Sequence, residues 1–377
     1  MAYTIRQYAT KAGKRYEVRY RKPDGTPTGK RGFKRKMDAD AWGAANVTTA
    51  KMTGAYIDPQ AGRRLVEDFW EPWLAAKKTK AKPSYVDALE RTWRVHVEPR
   101  WGCREVQSIT HDEIQIWVSG MAEEKSASVV HHAEGLLRAL LGKAKADKCI
   151  HGNPCDGIQL PRTRRKKHVY LTIDQLLSLA DASGWHRPIV LTLGLCGLRW
   201  GELVGLQVGD VDLERQRIHV RRAAVEVDHH IEVGTPKNGK ERTVIFPGLL
   251  KPCIGEACSG RGASDLLFPD RRTGSFLRKH HGPCSPGSWF YRAKKESLGV
   301  EVAKSMTIHD LRHTCASLLV HAGANVKAVQ RQLGHASAAM TLDVYADLFD
   351  DDLDVVADAM DGLIVRALGE GRGLAAW

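Results

Sequence analysis

The sequence lacks the long apolar runs that membrane spans and secretion signals require. No stretch approaches the roughly 20 consecutive apolar residues that are needed to cross a bilayer. The first six residues contain no apolar core of a signal peptide either. We therefore expect a soluble protein of the cytoplasm, without a membrane partner.

Paired cysteine spacings are also missing. The eight cysteines form no C-x-x-C pair, which argues against both a disulfide framework and a structural zinc site. Two groups keep a metal interpretation open: Cys149, His151 and Cys155, and then Cys253, Cys258, His280, His281 and Cys284. Ordinary buried or loop thiols are the simpler interpretation of both groups, and we expect no metal.

Acidic residues are scarce at the start of the chain. Over all 377 residues, Lys and Arg number 57 and Asp and Glu number 44, which gives a net charge of +13. Before Asp58 there are 13 basic residues and 4 acidic ones, so most of the excess lies there. A polyanion is the leading partner class, although a surface charged for solubility has the same composition.

The basic segment, residues 1–60, has the pattern of a small sheet with a helix. Residues 16–20 alternate as a strand does, residues 23–25 form a turn, and Gly32 starts another short strand. Residues 36–52 predict one helix. Such a unit suits a DNA-binding module, and a small capping domain with solvated Lys and Arg is the alternative.

Residues 61–162 predict four helices. They cover an amphipathic segment around residues 66–74, then residues 84–96 closed by Pro99, 112–121 and 126–145. A basic segment at residues 161–168 has the composition of an exposed linker, which leads into a third unit, residues 163–377. The overall fold class is therefore a multidomain α+β protein.

The third unit combines helices with short strands. Helices are predicted from Thr172, over residues 188–196 and over residues 289–298. Strands are predicted at residues 211–213, 217–225, 226–233 and 242–246. Asn238-Gly239 favours a hairpin turn between the last two strands, with Lys237 reaching out from it. We expect a mainly helical domain with a small antiparallel sheet.

One stretch near the C-terminus concentrates residues suited to an anionic substrate. His309 and Arg312 are three residues apart, so a helix sets them side by side. Gly334 ends a further helix just before His335, and Tyr345 follows ten residues later. Arginine matches phosphate, histidine moves protons and tyrosine can act as a nucleophile. Each residue alone is more often structural, so the interpretation depends on the whole set.

Five short motifs follow one another along the second half of the chain. They are G-L-R-W-G-E-L from Gly197, then Lys237, H-D-L-R-H from His309, L-G-H ending at His335, and Tyr345. Together they resemble the tyrosine recombinases of the phage-integrase type. The resemblance covers residues 172–346 as the catalytic domain. It also implies a SAM-like core-binding domain at 61–162 and an arm-binding domain at 1–60.

The resemblance implies a role for each matching residue. It makes Tyr345 the nucleophile that forms a 3′-phosphotyrosine with DNA, and Lys237 the general acid for the leaving 5′ oxygen. Arg199 and Arg312 bind the scissile phosphate, and Glu202 holds an acidic supporting position. His309 assists proton transfer and His335 hydrogen-bonds the phosphate. His313 lies outside the pattern, and we expect it to be structural.

The resemblance also implies partners. These are double-stranded DNA with core-type and arm-type attachment sites, and further copies of the chain in a tetrameric synapse. A host bending factor and a directionality factor belong to the same expectation. The chemistry needs neither a metal nor ATP, and the expected location is the nucleoid of a bacterial host. An acidic tail after Tyr345, with an apolar stripe, suits docking on a neighbouring protomer or on its own domain.

Three alternatives remain open from the sequence. A type IB topoisomerase uses the same residues, but the helical unit and separate basic unit favour recombination between sites. A DNA-binding regulator with an inactive recombinase fold predicts a lost catalytic position, and none is lost. A zinc-binding regulator requires bound zinc at the Cys and His groups.

Overall fold

The structure, a computed structural model, describes residues 2–22, 25–49, 60–163, 168–236, 239–279, 285–345 and 353–369. The chain divides into two compact units, Met1–Arg165 and Lys166–Trp377. The finer boundary between residues 1–60 and 61–162 stays a prediction. Among the described residues, no helix combines the length and apolar content that a membrane span needs.

The first unit begins with an antiparallel sheet in the order β1-β2-β3. Its strands are β1 (Tyr3–Thr10), β2 (Gly13–Arg21) and β3 (Pro27–Phe33). Helix α1 (Lys36–Gly43) continues as a wider π-helical turn over Ala44–Thr49. The predicted sheet and helix are confirmed, but Gly32 lies near the end of its strand rather than at the start. The apolar faces meet in a small core.

Helices form the rest of the first unit. They are α2 (Glu67–Lys78), α3 (Pro83–Thr92), α4 (His111–Glu124) and α5 (Ala127–Ala146). Trp70 and Trp93 stack at the centre, with ring centroids 4.8 Å apart. The chain stays helical after α3 through Trp93–Val97 and Glu98–Trp101, so the predicted end at Pro99 is wrong. Pro99 directly follows the π-helical turn, and a proline inside a helix commonly accompanies such an irregularity in the hydrogen-bond ladder.

Helices dominate the second unit. In chain order they are α6 (Ile173–Ala182), α7 (Arg187–Cys196), α8 (Trp200–Val204), α9 (Lys251–Cys258), α10 (Trp289–Leu298), α11 (Val300–Ser305), α12 (Asp310–His321), α13 (Val326–Leu333), α14 (Ala338–Tyr345) and α15 (Leu353–Gly369). Short 3₁₀ turns of this unit lie at Gly184–His186, Val208–Asp210 and Gly248–Leu250. Two further 3₁₀ turns, at Ala61–Arg63 and Val106–Ser108, belong to the first unit. Apolar residues from α6 to α10 and from strands of the second unit form its main core, and residues of α12, α13 and α14 form a smaller one.

Two small antiparallel sheets accompany these helices. One has the order β4-β5-β8, and the other pairs β6 with β7. Their strands are β4 (Val211–Asp212), β5 (Arg217–Val220), β6 (Ala223–Val227), β7 (His230–Gly234) and β8 (Arg242–Ile245). The predicted continuous strand over 217–225 is wrong, because it breaks between β5 and β6.

The predicted hairpin around Asn238-Gly239 is also wrong. The strands on either side of it, β7 and β8, pair with different partners. The two-residue turn instead joins β6 to β7 at Asp228 and His229, whose φ angles are +43° and +64°. A type I′ turn needs positive φ at both central residues, and Asp and His adopt it less readily than Asn and Gly. The sequence therefore gives a weaker signal at the true turn than at the false one.

Candidate active site

The predicted site residues that the structure describes lie at or near the ends of helices in the second unit. Helix α7 ends at Gly197, which has φ +68°, and Arg199 then precedes α8. A Cβ at Gly197 would lie 2.6 Å from Cδ2 of Leu333 and 3.1 Å from Sγ of Cys315. Only glycine meets both the positive φ and the close contact. This turn brings Arg199 close to the ends of α12 and α13.

A buried carboxylate organises the arginines at this point. Glu202 is 1% exposed, and its Oε1 accepts hydrogen bonds from Nη1 of Arg199 at 2.8 Å and Nη1 of Arg242 at 2.9 Å. Its Oε2 accepts from Nη2 of Arg242 at 2.7 Å and the backbone N–H of Arg199 at 2.9 Å. Four donors on one carboxylate hold both guanidinium groups in place.

Arg242 is a site residue that the sequence analysis missed. It begins β8, and its Nε donates to the backbone oxygen of Gln332 at 3.3 Å. A Cβ at Gly334 would lie 2.6 Å from Cδ of Arg242, so the glycine also leaves room for this side chain. The basic residue at the start of a strand carries no local signal of its role, because its partner Glu202 is 40 residues away.

The charge on Glu202 contributes to stability. Burial alone would raise its pKa, but the hydrogen bonds and charge of Arg242, with those of Arg199, lower the pKa to about 2. A carboxyl with a lowered pKa stabilises the folded state above its unfolded pKa and loses that contribution as the pH falls towards 2.

We expect Glu202→Gln to lower the free energy of unfolding by roughly 3 kcal/mol at pH 7. The difference from wild type should shrink as the pH falls from about 4.5 towards 2, because the wild-type carboxylate protonates. Urea unfolding at several pH values measures this. Glu226→Gln is the control, since Glu226 pairs with Arg278 at 2.8 Å in a more exposed position. A constant difference across the pH range would contradict the assignment.

Arg312 offers a hydrogen-bond donor that the protein does not use. Its side chain is buried at 3% exposure, and Nη1 donates to the backbone oxygen of Gly197 at 2.6 Å. Nη2 is buried and has no hydrogen-bond partner among the described residues. Burial and the nearby charge of Arg199 lower the pKa of Arg312 to about 10, which leaves it charged at neutral pH. A buried cation with an unused donor is suited to an anion.

The histidines differ in their surroundings. His309 directly precedes α12 and is exposed. His335 follows Gly334, which ends α13 with φ +68°, and its Nδ1 lies 3.0 Å from Oγ1 of Thr341. Burial, and then the charges of Arg312 and Arg199, lower the pKa of His335 to about 4. At neutral pH this ring is uncharged, so it acts through hydrogen bonds.

Tyr345 ends α14 and is 1% exposed. Its ring is nearly parallel to that of His335, with centroids 6.1 Å apart. Its hydroxyl lies 2.8 Å from Nδ1 of His313, the residue that we expected to be structural. Burial raises the pKa of Tyr345 above its usual range, and the charge of Arg312 opposes that shift. The phenol is therefore protonated at neutral pH.

A basic cleft of about 500 Å³ opens beside these residues. Arg199, Arg242 and His335 contribute to its wall, together with Lys240, Lys327 and Arg331. Five cations and one carboxylate, that of Glu241, line the cleft. The predicted residue Lys237 lies outside the described residues, although the neighbouring Pro236 is part of the cleft wall. The cleft therefore suits a polyanion.

The predicted metal groups do not form a cluster among the described residues. Cys149 and Cys155 are buried free thiols, and burial raises the pKa of Cys155 to about 12. His280, His281 and Cys284 lie outside the described residues. The ligand atoms that do come together, within 4.8 Å, belong to His168, Asp310 and His313.

The His168 and His313 rings are stacked, with centroids 3.7 Å apart and planes at 26°. The lone pair of a ring nitrogen lies in the plane of its own ring. Two stacked rings therefore direct their lone pairs into separate planes, which disfavours the binding of one metal ion by both. One Asp310 oxygen already accepts hydrogen bonds from the backbone N–H and Oγ1 of Thr307, at 2.6 and 2.7 Å. The other lies 3.3 Å from Nδ1 of His168. These contacts give the cluster a structural explanation without a metal.

Comparison with known proteins gives matches along most of the chain. Residues 170–351 match the model described as the phage integrase family. Residues 65–122 match that of the phage integrase N-terminal SAM-like domain. A putative prophage phiRv2 integrase of Mycobacterium tuberculosis is 27% identical over 343 residues, which covers 87% of this chain and 88% of the relative.

Solved structures give the same fold. An integrase of the transposon Tn1549, in complex with circular intermediate DNA, matches with a TM-score of 0.64 and 24% identity, over 78% of this chain and 99% of the other. A lambda integrase tetramer bound to a Holliday junction matches with a TM-score of 0.58 and 18% identity, over 88% and 96%. The predicted α+β fold class is confirmed.

Proposed function

Because this chain belongs to the phage integrase family of tyrosine recombinases, we propose that it is a site-specific DNA recombinase that integrates or excises a phage or another mobile element. The observation that carries the proposal is the arrangement around Arg312. A buried guanidinium with an unused donor is close enough to the phenol of Tyr345 for the two groups to interact electrostatically, and a cleft lined by cations lies nearby. This arrangement suits a phosphodiester as the substrate.

The proposed reaction starts with attack by the Tyr345 oxygen on the scissile phosphorus. The new bond is a 3′-phosphotyrosine, and the bond from phosphorus to the 5′ oxygen breaks. The phenol loses its proton to an acceptor, for which His309 is the candidate, while Lys237 donates a proton to the leaving 5′ oxygen. A 5′-hydroxyl of a partner duplex then reverses these steps on a new strand.

The two arginines supply the electrostatic part of catalysis. Negative charge grows on the nonbridging oxygens as the phosphorus is attacked, and Arg199 and Arg312 are positioned to stabilise it. Glu202 and Arg242 position Arg199 and do not themselves react. His335 is the candidate for a further hydrogen bond to the phosphate. We propose that neither a metal nor ATP takes part, since the guanidiniums provide the charge and the phosphotyrosine ester retains the energy for rejoining.

The proposal assigns one DNA contact to each predicted domain. Residues 163–377 carry the chemistry, residues 61–162 bind core-type sites, and residues 1–60 bind arm-type sites. The resemblance to the lambda integrase tetramer supports a tetramer of this chain on DNA. A host bending factor and a directionality factor are further proposed partners, and the nucleoid of a bacterial host is the proposed location.

The C-terminal helix offers a contact for such an assembly. On α15, the apolar residues Met360, Leu363, Ile364 and Val365 are exposed. The predicted acidic stretch directly after Tyr345 lies outside the described residues. We propose that α15 packs its apolar residues on a neighbouring protomer or on its own domain.

The role of Lys237 gives a testable prediction. We expect Lys237→Ala to slow cleavage by roughly 100-fold, the lower end of the range for general acid catalysis. A substrate with sulfur in place of the 5′ bridging oxygen should restore the rate, because a thiolate leaves without a proton. Lys240→Ala is the control, since Lys240 lines the cleft from the same segment. Equal defects on both substrates would show that Lys237 is not the acid.

Covalent trapping tests the proposed function directly. The wild-type protein is incubated with nicked duplexes that span the ends of the mobile element encoding it, with EDTA present and without ATP. A protein–DNA adduct on a denaturing gel, with the DNA attached through a 3′ phosphate, is the expected result. Binding without an adduct would favour an inactive DNA-binding regulator, and relaxation of plasmids without recombination would favour a topoisomerase.

A further inference from the structure

The hydroxyl of Tyr345 has a partner outside the predicted catalytic set. Nδ1 of His313 lies 2.8 Å from it, and the two ring centroids are 5.6 Å apart. Both side chains are buried, with 7% of His313 and 1% of Tyr345 exposed. His313 is the residue directly after Arg312 on α12. The hydrogen bond therefore joins the helix that carries an active-site arginine to the helix that ends in the nucleophile.

The direction of this hydrogen bond depends on the charge and the tautomer of His313. Burial, and then the neighbouring His168 and His309, lower the pKa of His313 to about 3. The neutral ring has one nitrogen that accepts and one that donates. We assign the proton of the neutral ring to Nε2, so the phenol of Tyr345 donates its proton and Nδ1 of His313 accepts. His168 and His309 enclose the ring of His313, so this contact keeps the hydroxyl in the interior of the unit.

The His313 ring is itself held on more than one side. His168 stacks on one face, and Asp310 anchors His168 through a 3.3 Å contact to its Nδ1. His309 meets the ring edge-on, with centroids 5.1 Å apart. These neighbours come from α12 and from the segment before α6. The acceptor at Nδ1 is therefore fixed in place before any DNA arrives.

The proposed reaction requires the hydroxyl of Tyr345 at the scissile phosphate, away from His313. Arg199 and His335 line the basic cleft that suits the DNA backbone. Tyr345 is 1% exposed and its hydroxyl is bound to His313, so in this position it presents no oxygen to a phosphate in the cleft. The phenol must leave Nδ1 of His313 before its oxygen can reach the phosphate.

We propose that His313 is a positioning residue that holds the nucleophile Tyr345 in a resting position until DNA is bound. The inference rests on the proposed function, because it takes Tyr345 as the nucleophile. The bond to be broken is a buried neutral hydrogen bond. Its net contribution corresponds to a change of roughly threefold to tenfold in the equilibrium between the held and released phenol.

Three substitutions separate this role from general packing. His313→Phe keeps the ring and removes the acceptor. His313→Asn places an amide oxygen close to the position of Nδ1 and restores it, whereas His313→Gln extends its amide towards the position of Nε2. A structural role predicts similar effects for all three variants. The positioning role predicts that only His313→Asn behaves like wild type.

The first measurement uses no DNA. The full-length proteins are treated with tetranitromethane in EDTA, and nitration of each tyrosine is followed by peptide mass spectrometry. Tyr345 should be nitrated roughly threefold to tenfold faster in His313→Phe and His313→Gln than in wild type and His313→Asn. Tyr170 is the internal reference, because a general loss of stability in this unit would raise its rate too. Equal Tyr345 rates in wild type and His313→Phe would overturn the proposal.

The second measurement uses the nicked junction DNA of the trapping assay, shortened to hold one protomer. Adduct formation in a single turnover should be faster in His313→Phe than in wild type by a similar factor, with His313→Asn at the wild-type rate. A slower His313→Phe would overturn the proposal and make His313 part of the catalytic machinery. If wild type forms no adduct, the proposed function fails, while the nitration result still decides whether His313 holds the phenol.

Discussion

Tyr345→Phe is expected to bind DNA as tightly as wild type and to form no covalent adduct with it. The substitution removes one oxygen atom, the one that would bond to phosphorus. The ring keeps its place beside His335, and the lost hydrogen bond to His313 costs roughly 1 kcal/mol of stability. Adduct formation on nicked junction DNA should therefore fall below detection, while a gel-shift assay shows an unchanged dissociation constant.

Tyr170→Phe is the matched control for this experiment. Tyr170 lies in the same unit, and its ring meets that of His313 edge-on at 6.5 Å. Loss of its hydroxyl should leave adduct formation intact. An adduct formed by Tyr345→Phe would place the nucleophile on another residue. Equal loss in both variants would show that the assay reports packing around His313 rather than the nucleophile.

Arg312→Lys is expected to lower the single-turnover cleavage rate by roughly 10²-fold, as loss of one preorganised donor to a developing anion does. Lysine keeps the positive charge but lacks the planar guanidinium, whose Nη1 donates to the backbone oxygen of Gly197 at 2.6 Å. The free second arm, Nη2, can then no longer be aimed at the phosphate. DNA affinity should fall much less than the rate, because many other cations line the cleft.

Arg222→Lys controls for the general effect of this substitution. Arg222 is a partly buried arginine of the same unit, and its Nη1 donates to Asp210 at 2.7 Å. Both variants are first compared by thermal unfolding, so that a folding defect is not read as a catalytic one. A cleavage rate within threefold of wild type for a folded Arg312→Lys protein would remove Arg312 from the proposed mechanism.

Local sequence signals predicted most helices and the order of the site residues. Thr172 and Thr110 each form a capping box with the residue three positions later, and this pattern can be recognised from the sequence alone. Gly197 and Gly334 stop their helices with positive φ, as the sequence indicated. Short spacings of this kind placed Arg199 and His335 just beyond helix ends, where the structure has them.

Contacts between distant segments could not be predicted. The bond of Arg242 to Glu202 spans 40 residues and that of Tyr345 to His313 spans 32. Neither arises from a periodicity or a cap, so only the folded chain shows it. The false hairpin at Asn238 has a related cause. Asn238-Gly239 favoured a hairpin between β7 and β8, but β8 pairs with the more distant β5 instead.

The unused Nη2 donor of Arg312 also bears on the stability of the folded protein. A buried donor without a partner costs roughly 1–3 kcal/mol, and more when it is charged. A bound phosphate removes that cost, so protein on DNA unfolds less often than protein free in solution. A protease that cleaves only the opened chain should therefore digest the protein more slowly when DNA is bound.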